Sequence, residues 1–186
     1  MPRVFLVVTL CAVLAVPALA EPITFVFGGE ITNIDGELMP PFQNAQVGDP
    51  FEFSYVFEST TPDSDPDPNV GAYQAISEFR VMIGAAEGSW PTMAPFNLIS
   101  VFPDIDRYGA LPGFPPIAAI AVVDFEPGTI QNDALLLTLP WDERIDTSFG
   151  LVAGGTADGT ITTWTPEPTT LGLLALVSAF AFRRRS

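Results

Sequence analysis

The stretch Phe51–Thr60 reads FEFSYVFEST, and its period is two residues. Phe51, Phe53, Tyr55 and Phe57 alternate with Glu52, Ser54, Val56 and Glu58, so in extended backbone four aromatic rings share one face and mostly polar groups the other. A helix, with its period of 3.6, would scatter the same rings around its axis. The segment is therefore a strand with one face turned to a core, and it sets the fold class for its neighbours.

Working outward, Ile23, Phe25 and Phe27 alternate in the same way, and Gly28-Gly29 then predicts a bulge before Ile31 continues the strand. Phe79, Val81 and Ile83 form a third apolar face, with Glu78 and Arg80 pointing away. Ile117–Phe125 is apolar on both faces, as expected of a central strand, and Leu135, Leu137 and Leu139 begin another. Phe149–Val152 and Thr160–Trp164 close the set. Asp35-Gly36, Gly154-Gly155 and Asp158-Gly159 read as turns, and proline-rich connections fall at Pro62–Pro68, Pro91–Pro95 and Pro112–Pro116. No internal repeat and no amphipathic helix interrupts this pattern. About eight short strands without intervening helices predict an all-β domain, an antiparallel β-sandwich with a jelly roll as one variant.

Charge narrows the partners. Between Glu21 and Thr165 there are 21 acidic residues against Arg80, Arg107 and Arg144, a net charge of −18 with no lysine. Such a surface repels phosphate backbones, because nucleic-acid affinity comes from clustered Lys and Arg. Nucleic acid is excluded as a partner; cations and neutral or basic polymers are not. Charged residues make up 16% and aromatic residues 11% of the chain, which separates it from an acidic disordered tail and predicts a packed core.

The two ends read as addresses. Arg3, the apolar run Val4–Val16 and the A-x-A triplet Ala18-Leu19-Ala20 form a signal peptide over residues 1–20, with cleavage after Ala20. Cys11 lies inside it, and Leu10 is too bulky for a lipobox, so no disulfide or thiol chemistry is expected of residues 21–164. The other end reads TPEPTTLGLLALVSAFAFRRRS. Pro166-Glu167-Pro168 precedes an uncharged stretch over residues 169–182, expected as a short apolar helix, and then Arg183, Arg184 and Arg185. Fourteen helical residues span roughly 21 Å, short of a hydrocarbon core of roughly 30 Å, so the stretch is a marginal anchor. The arginine cluster favours the cytoplasmic side and leaves the body outside. The two prolines are expected to stop a strand or helix from running out of the body, leaving the motif extended and accessible.

Residues 165–186 resemble the PEP-CTERM sorting signal of Gram-negative and related bacteria: Pro166-Glu167-Pro168 is similar to its namesake motif, Leu171–Phe182 to its apolar helix and Arg183–Arg185 to its basic end. The resemblance implies recognition by an exosortase, a membrane-embedded cysteine transpeptidase-like enzyme, with a transient inner-membrane intermediate, processing near the motif and delivery to the surface or extracellular matrix. The body, through Ile23–Gly28, FEFSYVFEST at 51–60 and TPDSDPDPNVGAY at 61–73, resembles the β-rich region of PEP-CTERM proteins without a known activity.

Candidate chemistry is sparse. Asp63, Asp65, Asp67 and Asn69 have the alternate spacing that opens many calcium loops, but Pro68 and Gln74 stand where an EF-hand needs Gly and Glu. A non-EF Ca²⁺ loop and a solvated hairpin linker are the two readings of that segment, and no cofactor is otherwise required. Without His or Lys, and with Cys11 alone, the chain lacks Ser-His-Asp, Cys-His, zinc-His and Schiff-base chemistry, so no catalytic residue is assigned. Asp104/Asp106 and Asp142/Glu143/Asp146 are the carboxylates a glycosidase could use. Trp90, Trp141, Trp164, Tyr73 and Tyr108 could form the aromatic platform of a carbohydrate-binding module, with core packing as the competing role for each. The sequence thus predicts an exported structural or interaction protein of the surface or matrix, not an enzyme, with extracellular polysaccharide as a candidate partner.

Overall fold

The computed structural model describes residues 22–167. The expected signal peptide with Ala18 and Ala20, the apolar stretch 169–182, Pro168 and Arg183–Arg185 lie outside the described residues. Ten strands follow one another: β1 Pro22–Asp35, β2 Pro50–Glu58, β3 Gly71–Tyr73, β4 Ile76–Ile83, β5 Ala86–Pro91, β6 Asn97–Phe102, β7 Arg107–Phe114, β8 Ile117–Phe125, β9 Arg144–Ala153 and β10 Gly155–Glu167. Single 3₁₀ turns at Pro103–Ile105 and Trp141–Glu143 are the helical elements among the described residues. No described helix is long and apolar enough to cross a membrane.

All pairings are antiparallel, and they run without a break through one sheet in the order β3-β6-β7-β8-β9-β10-β1-β2-β4-β5. Where the alternation predicted two stacked sheets, the chain makes one sheet curled into a half-barrel whose facing halves share a core. The curl has two visible causes. Strand β10 is long enough to join both halves, pairing with β9 through Gly155–Gly159 and with β1 as far as Glu167. At the other side, only Gln74 and Ala75 separate β3, which pairs with β6, from β4, which pairs with β2. One bent segment thus belongs to both ends of the sheet, a corner of the kind that closes orthogonal β packings.

The core is aromatic and follows the predicted alternation. On β2, Phe51, Phe53, Tyr55 and Phe57 are all buried. Each such ring contributes roughly 2–3 kcal/mol by leaving water. Rings from the two halves meet: Phe51 stacks on Phe149 at 4.2 Å, and Phe25 lies 6.3 Å from Tyr108. The hydroxyls of Tyr55 and Tyr108 hydrogen-bond to each other inside the core, linking β2 to β7. Burial pushes both phenols well above the usual tyrosine range, so both stay neutral.

Several expectations are corrected. The Gly28-Gly29 bulge is present as a register shift against β10. Asp158-Gly159, however, is not a turn; it lies inside β10, paired with β1 and β9. A Cβ on Gly159 would stand 2.7 Å from the Phe51 ring, so this glycine makes room for an aromatic side chain rather than reversing the chain. Leu135–Leu139 forms no strand, although Leu139 is buried and Leu135 packs against the core from an irregular loop. Central strand β8 buries Ile117, Ala119, Ala121, Val123 and Phe125, but its other face is open, with Ile120 41% exposed. Strands β3, β5, β6 and β7 were hidden in the sequence by glycine and proline at their ends and within β7.

Candidate functional site: the acidic body and the end of strand β10

The acidic loop spends its carboxylates on its own backbone. Asp63 Oδ1 accepts the Asp65 N–H at 2.9 Å, Asp65 Oδ1 that of Asp67 at 2.9 Å, and Asp67 Oδ1 that of Asn69 at 3.0 Å. These are successive side-chain turns, the local alternative that Asp and Asn offer a backbone. Asp63 Oδ1 also accepts the Ala72 N–H at 2.9 Å, which fastens the loop to β3. Among the described residues, no three of His, Cys, Asp and Glu are grouped as a metal site. Asp63, Asp65 and Asp67 thus accept the loop's own backbone N–H groups, the last of them from Asn69.

Of the nominated carboxylates, Asp106 is the one with an unexpected position. It is buried, has a left-handed φ of 49°, and accepts the N–H of Gly128 at 2.8 Å and of Ile130 at 2.7 Å. Those backbone donors hold its carboxyl below the usual carboxylate range. Its role is to tie the 126–130 turn to the start of β7, while Asp104 close by is exposed. Glu143 accepts the Thr129 hydroxyl at 3.0 Å and Asp146 the Thr147 N–H at 2.8 Å. Because the Asp106 pKa is lowered on folding, its contribution is complete above the unfolded value near 3.8 and is lost as pH falls through the folded one. Asp106→Asn, which keeps the left-handed backbone accessible, is expected to lower the melting temperature by several degrees at pH 7. Its deficit should shrink at pH 3; an equal deficit at both pH values, measured by calorimetry, would show that the charge is not what matters.

The aromatic side chains are mostly core or boundary groups. Trp90 packs 5.3 Å from Phe79 and 6.0 Å from Phe42, and Trp141 lies 6.2 Å from Trp164. Arg144 covers Trp141 at 4.3 Å. Tyr73 and Tyr108 are buried, Tyr73 donating to the Asp133 carbonyl at 2.7 Å. All three arginines of the body are engaged: Arg80 with Glu52 at 2.9 Å and Glu87 at 2.8 Å, Arg107 with Asp124 at 2.6 Å, and Arg144 with the Trp141 carbonyl at 2.6 Å. Arg80 and Arg107 are thus neutralised by carboxylates, whereas Arg144 is held by a carbonyl and a ring.

Two concavities bear on binding. One of about 440 Å³ is lined by Pro41, Asn44, Asp49, Ile83 and Glu87 among others. A second, of about 240 Å³, crosses the outer face of β1, β2, β4 and β5 between Thr24, Glu52, Ser54, Glu78, Arg80 and Ser89. None of Asp104, Asp106, Asp142, Glu143 and Asp146 lines either one.

The sorting end is the most informative part of the surface. Pro166 and Glu167 belong to β10, opposite Phe25 and Thr24 of β1, so the first of the two prolines does not stop the strand; the second, Pro168, lies outside the described residues. Proline is tolerated here because the missing N–H falls at the strand's end and on a one-sided ladder. Pairing with β9 ends at Gly159, so among the described residues Thr160–Glu167 is held by β1 alone on the ladder, helped by the Thr147 hydroxyl on the Ile161 carbonyl at 2.6 Å. Trp164, set edge-on to Phe25 at 5.4 Å, fastens the strand two residues before Pro166.

Residues 165–185 match the family model of the PEP-CTERM protein-sorting motif. No curated protein and no solved structure matches the chain. A motif of this kind marks a chain for an exosortase-type sorting enzyme and for the cell surface or extracellular space.

Proposed function

We propose that this sorted chain is a surface or extracellular-matrix protein of a bacterium whose β domain has a structural or interaction role without catalysis. The observation that carries the reading is the sorting motif at 165–185, joined directly to the last strand of a folded, strongly acidic sheet. The engagement of Asp63, Asp65, Asp67, Asp106 and Glu143 in holding loops supports a body whose polar groups serve its architecture. Intact-mass measurement of the full chain, from cells with and without the sorting enzyme, tests the address. The expected product lacks Arg183–Arg185 only when the enzyme is present; a tail retained in both would sink the proposal.

A second reading, carbohydrate binding, is favoured by the polar groove over β1, β2, β4 and β5. Its Thr24, Ser54 and Ser89 hydroxyls and its Glu52–Arg80 ion pair are groups that could meet a hydroxyl-rich polymer. A glycan array separates the two roles. A passive matrix component gives no specific hit, whereas a binding module gives hits that weaken in Arg80→Ala.

A further inference from the structure

We propose that the folded sheet gates its own processing: the sorting enzyme gains the motif only after the end of β10 separates locally from β1. This rests on the exosortase reading above. A processing enzyme grips several residues on either side of its cut in extended form, and here the residues leading into the motif are already paired. Val26 faces Thr165, Phe25 faces Pro166 and Thr24 faces Glu167 in the β1–β10 register. A strand hydrogen-bonded to β1 has only its opposite edge free among the described residues, so a cleft that encloses both edges of the extended chain cannot receive it.

The way this end is held suits release without global unfolding. Beyond Gly159 the ladder is one-sided among the described residues, and Pro166 has no N–H to give it. Thr165 and Pro166 are exposed, so opening the strand beyond Trp164 uncovers little apolar surface, while Ile161 and Trp164 hold the part before it on the core. Strand ends with few buried contacts open at a small fraction of the global free energy. The upstream half of β10, paired on both sides through Gly155–Gly159, stays in place as the hinge. A misfolded chain would have no such ladder, so the rate of processing would report on the state of the β1–β10 pair.

Disulfide staples in the full chain, expressed with the sorting enzyme, test this by pulse-chase. V26C/T165C locks the facing pair next to the motif while leaving Pro166-Glu167-Pro168 untouched; D35C/T156C locks the far end of the same strand pair. Thiol labelling verifies both bridges. The first staple is expected to slow processing by about tenfold or more, while the second and V26S/T165S are processed like the wild type. A six-residue Gly/Ser insertion between Thr165 and Pro166, which frees the motif from the sheet, is expected to speed it. Wild-type rates in the verified V26C/T165C staple, or slower processing of the insertion variant, would overturn the gate. Failure of the wild type itself to be processed would instead overturn the sorting reading.

Discussion

Alanine in place of Gly29 is expected to lower the stability of the domain by roughly 2–3 kcal/mol, measured by urea unfolding of the β domain. The added Cβ would stand 2.7 Å from the Phe51 ring and closer still to the Thr160 carbonyl of β10. Neither can yield cheaply: the ring is stacked on Phe149 at 4.2 Å, and the carbonyl belongs to the strand that joins the two halves of the sheet. Gly159 lies on the other side of the same slot, with its Cβ position 2.7 Å from the ring and 2.8 Å from the Glu30 carbonyl. Phe51→Ala alone should cost about 3–5 kcal/mol through the cavity it leaves. In that background Gly29→Ala should cost less than in the wild type, because one of its two clashes is gone. A Gly29→Ala variant within about 0.5 kcal/mol of wild type would show that the slot is not tightly packed.

The second large effect lies in the Tyr55–Tyr108 pair. Tyr55→Phe or Tyr108→Phe leaves one buried hydroxyl without its partner and should cost about 1–3 kcal/mol, whereas the double substitution removes both and should return most of that stability. Additive losses in the double-mutant cycle would mean that the two hydroxyls are not coupled. The same pair governs behaviour in alkali. Burial raises the pKa of both phenols, so the folded chain holds their protons when the unfolded chain has begun to lose them at the ordinary value of 10.0. Their stabilisation is whole below pH 10 and is lost as pH rises beyond it. Tyr73 is raised as well, by burial and then by the nearby charges of Asp63 and Asp133. None of the chain's three tyrosines should therefore ionise at its usual pH; tyrosinate absorbance should appear with unfolding, not as an earlier separate step.

How much could be read beforehand depends on the range of the interaction involved. The four rings of β2 were legible because alternation is a property of adjacent residues. The bulge at Gly28-Gly29 was legible for the same reason. Asp158-Gly159 was misread because an Asp-Gly pair has the same local chemistry in a turn and in a strand that needs space for a ring from elsewhere. Leu135, Leu137 and Leu139 alternate like a strand, yet they pair with no strand; Leu135 and Leu139 pack on the core from a loop while Leu137 is exposed. Asp106 looked like half of a carboxylate pair, and only the approach of Gly128 and Ile130 shows it as an acceptor for a distant turn.

The sorting end shows the same division. Its motif, apolar stretch and arginine cluster are contiguous, so the address was readable from the chain alone, as were the all-β class, the acidic surface and the absence of histidine and lysine chemistry. Whether Pro166 ended the strand was not readable, because that depends on β1, whose Phe25 faces it from far away in the sequence. The tertiary structure alone decided that one sheet curls on itself, that two tyrosines 53 residues apart share a hydrogen bond, and that the motif starts inside β10. The physical reason is that side-chain periodicity is written locally, whereas strand pairing and ring packing depend on which distant segments meet.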